Sequence, residues 1–187
     1  MTTTPYEPQN WKERIVQMVL VKQRLEEVDA DNLWEYKLPG LAASEESLQQ
    51  VEAAIAVPLD PGYRDFLRHA GGWPAFYQTV DLFGPDELLG SPQFAAAREA
   101  LLSMEDEALA ECGEAPRDLL PIAATSEDLD LFLIAGPGAE TPGQVFWYEG
   151  GLIDTFPSFT EYFLAMVDYN RDEIRRLEEK AASTPSA

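Results

Sequence analysis

Residues able to do covalent or proton-transfer chemistry are sparse in this chain, and the scarcity excludes most catalytic schemes. His69 is the single histidine and Cys112 the single cysteine. A histidine-rich metal site or a pair of imidazoles is therefore excluded. Cys112 lies in the polar stretch Glu111-Cys112-Gly113-Glu114, far from His69 in sequence, and no Gly-x-Ser-x-Gly turn is present. Neither a cysteine nor a serine nucleophile has a supporting partner. The run from Gly136 to Gly143 superficially resembles a phosphate loop. It lacks the Lys-Ser/Thr ending, places prolines where N–H donors are wanted, and carries Glu140, which would repel phosphate. It reads as a hairpin loop. Glu127, Asp128 and Asp130 bring carboxylates close enough to suit a hard cation, but the EF-hand pattern is missing. Asp130 also opens a strand, whose alternation sends neighbours to opposite faces. The preferred reading is an acidic turn that caps a strand pair and meets a basic partner. The expectation is a protein with no catalytic residues, no metal and no cofactor, hence not an enzyme.

Recognition chemistry is better represented. Trp73, Phe76 and Tyr77 crowd together after the pair Gly71-Gly72, beside Pro74. Read as a loop, they are either anchors for a partner, since aromatics are enriched at interfaces, or lids over a small core. The net charge is −21, and it is unevenly placed: residues 41–169 hold 4 of the 13 basic residues and 23 of the 34 acidic ones, a net −19. No lysine occurs between Lys37 and Lys180. Such a field repels nucleic acid and anionic lipid and steers a basic partner inward. The competing reading is that the charge serves solubility or a salt-adapted host. No apolar run approaches a membrane span, and the first ten residues lack the basic-then-apolar form of a signal peptide. A lone cysteine suits a reducing compartment. A cytoplasmic protein with no nucleic-acid or membrane partner is expected; its oligomeric state is not legible.

The elements that position these residues follow from periodicity. Asn10 to Asp29 reads as a first helix with a broad apolar face, followed by a loop containing Trp34 and Tyr36. Ser44 caps a helix carrying Leu48, Val51 and Ile55, with Glu45 and Glu46 at the positive end of its dipole. Glu52 lies on its otherwise core-facing side, placed to accept N–H groups from the following loop. Asp60 and Pro61 start a second short helix with Tyr63, Phe66 and Leu67 inward, and Gly71-Gly72 offers left-handed conformations to end it. His69, late in that helix, suits a C-terminal cation. Strands are expected over 79–83, 119–123, 129–135, 144–148 and 152–156, the last two joined by Glu149-Gly150-Gly151. Between them, residues 88–118 form an acidic helical insert, the most individual part of the chain. Ser158-Phe159-Thr160-Glu161 is a capping box opening a long final helix, and 181–187 is expected to be a disordered tail. The order predicts an α+β domain: a mostly antiparallel sheet of about five strands packed against helices, with residues 1–40 as an N-terminal helical extension and 41–180 as the domain proper.

Taken together, the capped start Ser44-Glu45-Glu46, Glu52, the elbow from Val57 to Leu67, and Gly71-Gly72 resemble the opening of the SUKH superfamily. That superfamily includes a yeast cell-wall-assembly regulator and many bacterial toxin-immunity proteins. Leu120 to Ala123, Asp128 to Asp130, Gly143 to Tyr148 and Ser158 to Leu164 look like its central strands, closing strand and helix. The similarity runs from about Leu41 to Asp168, roughly two thirds of the chain. The resemblance implies the same α+β architecture. It also implies a non-catalytic immunity protein that neutralises a cognate bacterial toxin by stoichiometric binding, or else an intracellular scaffold or regulatory module. The charge supports only a basic partner; joined to the resemblance, it makes the expected toxin a basic one, of nuclease type. Trp73, Phe76, Tyr77, Glu127, Asp128 and Asp130 are the expected partner contacts, with Glu52, Gly71 and Gly72 structural.

Overall fold

The computed structural model describes residues 10–125 and 130–183. Helix α1 (Trp11–Val28) starts where Asn10 Oδ1 accepts the Glu13 N–H. Helix α2 (Glu45–Ile55) is capped by Ser44, and α3 (Pro61–Leu67) by Asp60 with proline in its first turn. Strands β1 (Trp73–Tyr77) and β2 (Val80–Leu82) follow. Then come α4 (Pro85–Leu88), α5 (Pro92–Leu102), α6 (Asp106–Cys112) and a single 3₁₀ turn at Pro116–Asp118. The chain continues as β3 (Leu119–Ala124), β4 (Asp130–Ala135), β5 (Val145–Glu149) and β6 (Leu152–Phe156), and closes with α7 (Phe159–Ser183). The strands form one antiparallel sheet in the order β1-β2-β3-β4-β5-β6.

The α+β architecture is as expected, with six strands rather than about five. The additional strand is β1, which the sequence reading placed in a loop. Its disguise is physical. Residues 73–77 show no polar–apolar alternation, and Pro74 tolerates strand geometry here because it sits exposed on the sheet edge. The pairing with β2 is bulged: Ala75 has a left-handed φ of 49°, and register shifts between Trp73 and Tyr77. Both backbone groups of Ala75 find partners outside the ladder. Its N–H donates to Asp81 Oδ1 at 2.7 Å, and its carbonyl accepts the buried Lys22 ammonium from α1. The other adjustments are smaller. The insert divides at Ser103, where the sequence pattern runs on, and α7 extends through Ala181 to Ser183, residues that the sequence places in the tail. Ala181-Ala182 favour continuation of the helix. Residues 184–187 lie outside the described residues.

Both faces of the central strands are covered, which explains why every residue of β4 after Asp130 is buried. On one face lie α7 and α1. Phe132 stacks on Trp147, and these rings meet Tyr162 and Tyr169 of α7. On the other face lie α5 and α6, with the Tyr148 hydroxyl donating to the Ala108 carbonyl at 3.0 Å. Helix α1 runs parallel to α7: Trp11 packs on Phe159 and Phe163, Arg24 pairs with Glu178, and Asp31 pairs with Lys180.

The glycine pair works differently from the expectation. Only Gly72 is left-handed, with φ +88°. Gly71 is there because three backbones cross at one point. A Cβ on Gly71 would collide with the Leu41 carbonyl, and one on Gly84 would collide with the Gly71 carbonyl. Hydrogen bonds from Gly40 N–H to Gly72 O (2.8 Å) and from Gly71 N–H to Gly40 O (3.1 Å) hold the crossing.

Candidate functional site

The expected aromatic contacts resolve into core. Trp73 and Phe76 are fully buried, packed on Phe163 and each other, with the Trp73 indole donating to Lys37 O at 2.9 Å. They offer no surface to a partner. Tyr77 is half-buried between Trp147 and Tyr169; burial, then the nearby Glu173 and Asp130 charges, push its phenol up to about 12. The left-handed bulge at Ala75 breaks strand alternation and brings Trp73 and Phe76 to the same inner side; of the two readings that the sequence left open, this is the lid over the core.

Asp130 is half-buried at the start of β4, where its Oδ1 accepts the Trp147 indole N–H at 2.6 Å. Glu127 and Asp128 lie outside the described residues. Glu52 Oε1 accepts the Leu59 N–H at 3.1 Å and the Arg64 Nε–H at 3.1 Å. Arg64 also grips both oxygens of Glu45, and Arg68 reaches the same carboxylate, so the two guanidinium groups hold Glu45 down to about 2. This clamp ties α2 to α3 and commits two of the four basic residues of 41–169 to internal work.

The acids of the insert are disposed otherwise. Glu99, Glu105, Asp106, Glu107 and Glu111 are all exposed. Glu111 accepts the Leu152 N–H at 2.9 Å. Glu114 is buried and binds the β4–β5 loop, accepting from the N–H groups of Glu140 and Thr141 and from the Thr141 hydroxyl. Burial raises its pKa, but the three donors outweigh that and leave it lowered. Sequence reading missed this clasp, since nothing local in Glu114 foretells contact with residues that follow two strands later.

Two grooves flank α5. One, of about 510 Å³, contains Arg98 and Arg117 together with Leu102 and Val57. The other, of about 470 Å³, opens between the insert and the sheet. Its wall is Ala96, Ala97 and Ala100 of α5 with Met104 just after that helix, its floor is Leu131 and Tyr148, and Glu105, Thr125 and Asp130 also border it, the Asp130 carboxylate being bonded to Trp147 on the α7 side. Both volumes are of ligand scale. The four basic residues of 41–169 are thus all accounted for: two in the clamp and two at the first groove. The second groove is acidic.

Among the described residues His69 and Cys112 each meet a backbone carbonyl and not one another. His69 falls just past the end of α3, where its Nδ1 lies 2.8 Å from the carbonyl of Asp65 in the last turn of that helix. Cys112 is half-buried, its thiol donating to Leu109 O. Among the described residues no three His, Cys, Asp or Glu side chains converge as a metal site. No helix among the described residues is long and apolar enough to cross a membrane.

Fold and surface together define an acidic α+β domain in which the crossing glycines and the Glu52–Arg64–Glu45 clamp are scaffold. The chain matches the SMI1/KNR4 family (SUKH-1) over residues 42–165 and belongs to that family. No curated protein sequence matches it. The family is one of protein-binding domains of immunity or regulatory type, and it is generally non-catalytic.

Proposed function

We propose that this protein is an immunity-type binding domain that neutralises a basic toxin, of nuclease type, by stoichiometric association. The observation that carries the reading is the state of the countercharges. Within a segment of net −19, Arg64 and Arg68 are spent on Glu45 and Glu52, so the exposed carboxylates of the insert meet solvent unopposed. A field of that sign accelerates encounter with a cationic partner and contributes more to rate than to affinity. Glu127, Asp128 and Asp130 stay in the reading as proposed contacts, the first two preceding β4 in the chain and the Asp130 carboxylate being half-buried against Trp147. Trp73 and Phe76 serve the reading only as support for the sheet edge, and Tyr77 as a half-buried neighbour.

The test first asks whether a basic toxin is encoded beside this protein's gene, the absence of one counting against the proposal, and then uses that toxin purified as a catalytically dead form. The association rate constant should fall steeply as salt rises from about 50 to 500 mM, and co-expression should protect cells from the active toxin. A salt-insensitive rate, or cells left unprotected, would sink the proposal. The family name favours one other reading, an intracellular regulatory module. It predicts binding to a host protein and no protection.

A further inference from the structure

The 510 Å³ groove gathers the two cations that the clamp leaves over, and we infer that it binds a small amphiphilic carboxylate, a single anionic head on an apolar body. The inference goes beyond the partner reading and does not rest on it.

The cations give the sign. With 34 acidic side chains to 13 basic ones, a basic side chain without an acid beside it is the exception in this chain. Arg64 and Arg68 face carboxylates in the clamp, and the arginines of α7 each face an acid three residues back. Arg98 is different. Among the described residues it has no acid partner, and its guanidinium lies 6.0 Å from the centroid of the Phe94 ring in its own helix. Arg117 makes one contact, from Nε to Asp118 at 3.5 Å, and its side chain is 84% exposed, so its outer nitrogens face solvent. Helix α5 supplies the first arginine and the 3₁₀ turn the second, so two separate elements bring guanidinium groups to one groove.

The walls give the body. Leu102 is 70% exposed and Val57 39%, and both line the groove. Helix α2 ends at Ala56 with a left-handed φ of 60°, a conformation ordinarily left to glycine, and the residues on either side of it, Ile55 and Val57, both reach the groove. Pro116 and Pro137 continue the surface without adding an N–H donor, so the walls suit an apolar chain better than a polar one.

Charge then limits the occupant. Guanidinium groups hold carboxylates through paired N–H donors. The surrounding segment, net −19, opposes an anion in proportion to its charge. Nucleic acid, a phosphate-rich ligand or an acidic polypeptide is therefore disfavoured, whereas a single carboxylate meets that field once. The lining sets the same limit, since Arg98 and Arg117 against Asp118 leave it at net +1. The volume lies in the range of small-ligand sites, and an apolar body laid there takes Val57 and Leu102 out of water. The groove on the other side of α5, bordered by Glu105 and by no basic side chain, has the opposite sign.

Octanoate is the probe, titrated into isotope-labelled full-length protein at fixed pH and ionic strength. Acetate (the head alone) and 1-octanol (the body alone) are the comparisons. Amide signals of Val57, Leu102, Arg117 and Gly138 should move together and saturate with octanoate. Acetate should leave them in place, and 1-octanol should bind about tenfold more weakly. Exchanging both Arg98→Gln and Arg117→Gln, at exposed positions, should lower octanoate affinity about tenfold, to the level of 1-octanol. The same charge change on α7, Arg171→Gln with Arg175→Gln, should leave affinity within about twofold. No saturable shift at millimolar octanoate, 1-octanol binding as tightly as octanoate, or full affinity in the Arg98 and Arg117 double variant would each overturn the site.

Discussion

Lys22 offers a quantitative check on the packing of this fold. Its ammonium is 3% exposed, over the ring of Tyr36 and against the carbonyl of the left-handed Ala75. Burial lowers its pKa from 10.5 to about 8. Between those values the unfolded chain binds the proton more readily than the folded one, so stability gains from this group as pH rises through the window. Below pH 8 the folded protein carries a buried charge at a penalty of about 3 kcal/mol. Lys22→Met keeps the stem, removes the charge, and leaves the Ala75 carbonyl without its donor, a loss of about 1–3 kcal/mol. The two effects nearly cancel at neutral pH. They separate on titration: wild type should gain about 2 kcal/mol over the variant between about pH 7 and 9.5. Tyrosine and other lysine titrations are common to both proteins and drop out of the difference. Urea unfolding followed by tryptophan fluorescence measures it. Parallel stability–pH curves for the two proteins would refute the reasoning.

Glu52→Ala should lower stability by about 1–3 kcal/mol, since it strands the Leu59 N–H and one edge of Arg64; an unchanged melting temperature would contradict this. Glu114→Ala should lower stability by a similar amount, about 1–3 kcal/mol, and speed hydrogen exchange at Glu140 and Thr141. Because the folded pKa of Glu114 lies below the ordinary 4.5, its contribution is complete above that value and is lost as pH falls through the folded one. Acid titration of the variant should therefore lack that component, and identical wild-type and variant curves would argue against the clasp. Gly84→Ala should abolish the wild-type thermal transition, because the added carbon meets the Gly71 carbonyl backbone and not a movable side chain; a native melt would refute the three-backbone crossing.

Elements with strong local signals were legible in the sequence. The Ser44 and Asp60 caps, the periodic faces of α1, α2 and α7, and five of the six strands follow from side-chain periodicity and start signals. Strand β1 was hidden because its edge position excuses Pro74 and its bulge hides the alternation. The burial of Trp73 and Phe76 depends on α7, which arrives some eighty residues later in the chain. The acidic surface could be read from composition, but the groove between the insert and the sheet could not. Its floor joins β4 to β5 and its wall is α5, and no local pattern brings those three together.

The parallel pairing of α1 with α7 sets the order in which the protein becomes whole. Trp11 finds Phe159 and Phe163 only after everything between them has been synthesised. Until then α1 can meet Phe66 of α3 and the Ala75 carbonyl of β1 but lacks α7, and the sheet face beneath α7 stands bare. Contacts of such long sequence separation form late and slowly. Nascent chains stalled before Phe159 should be targets for chaperones.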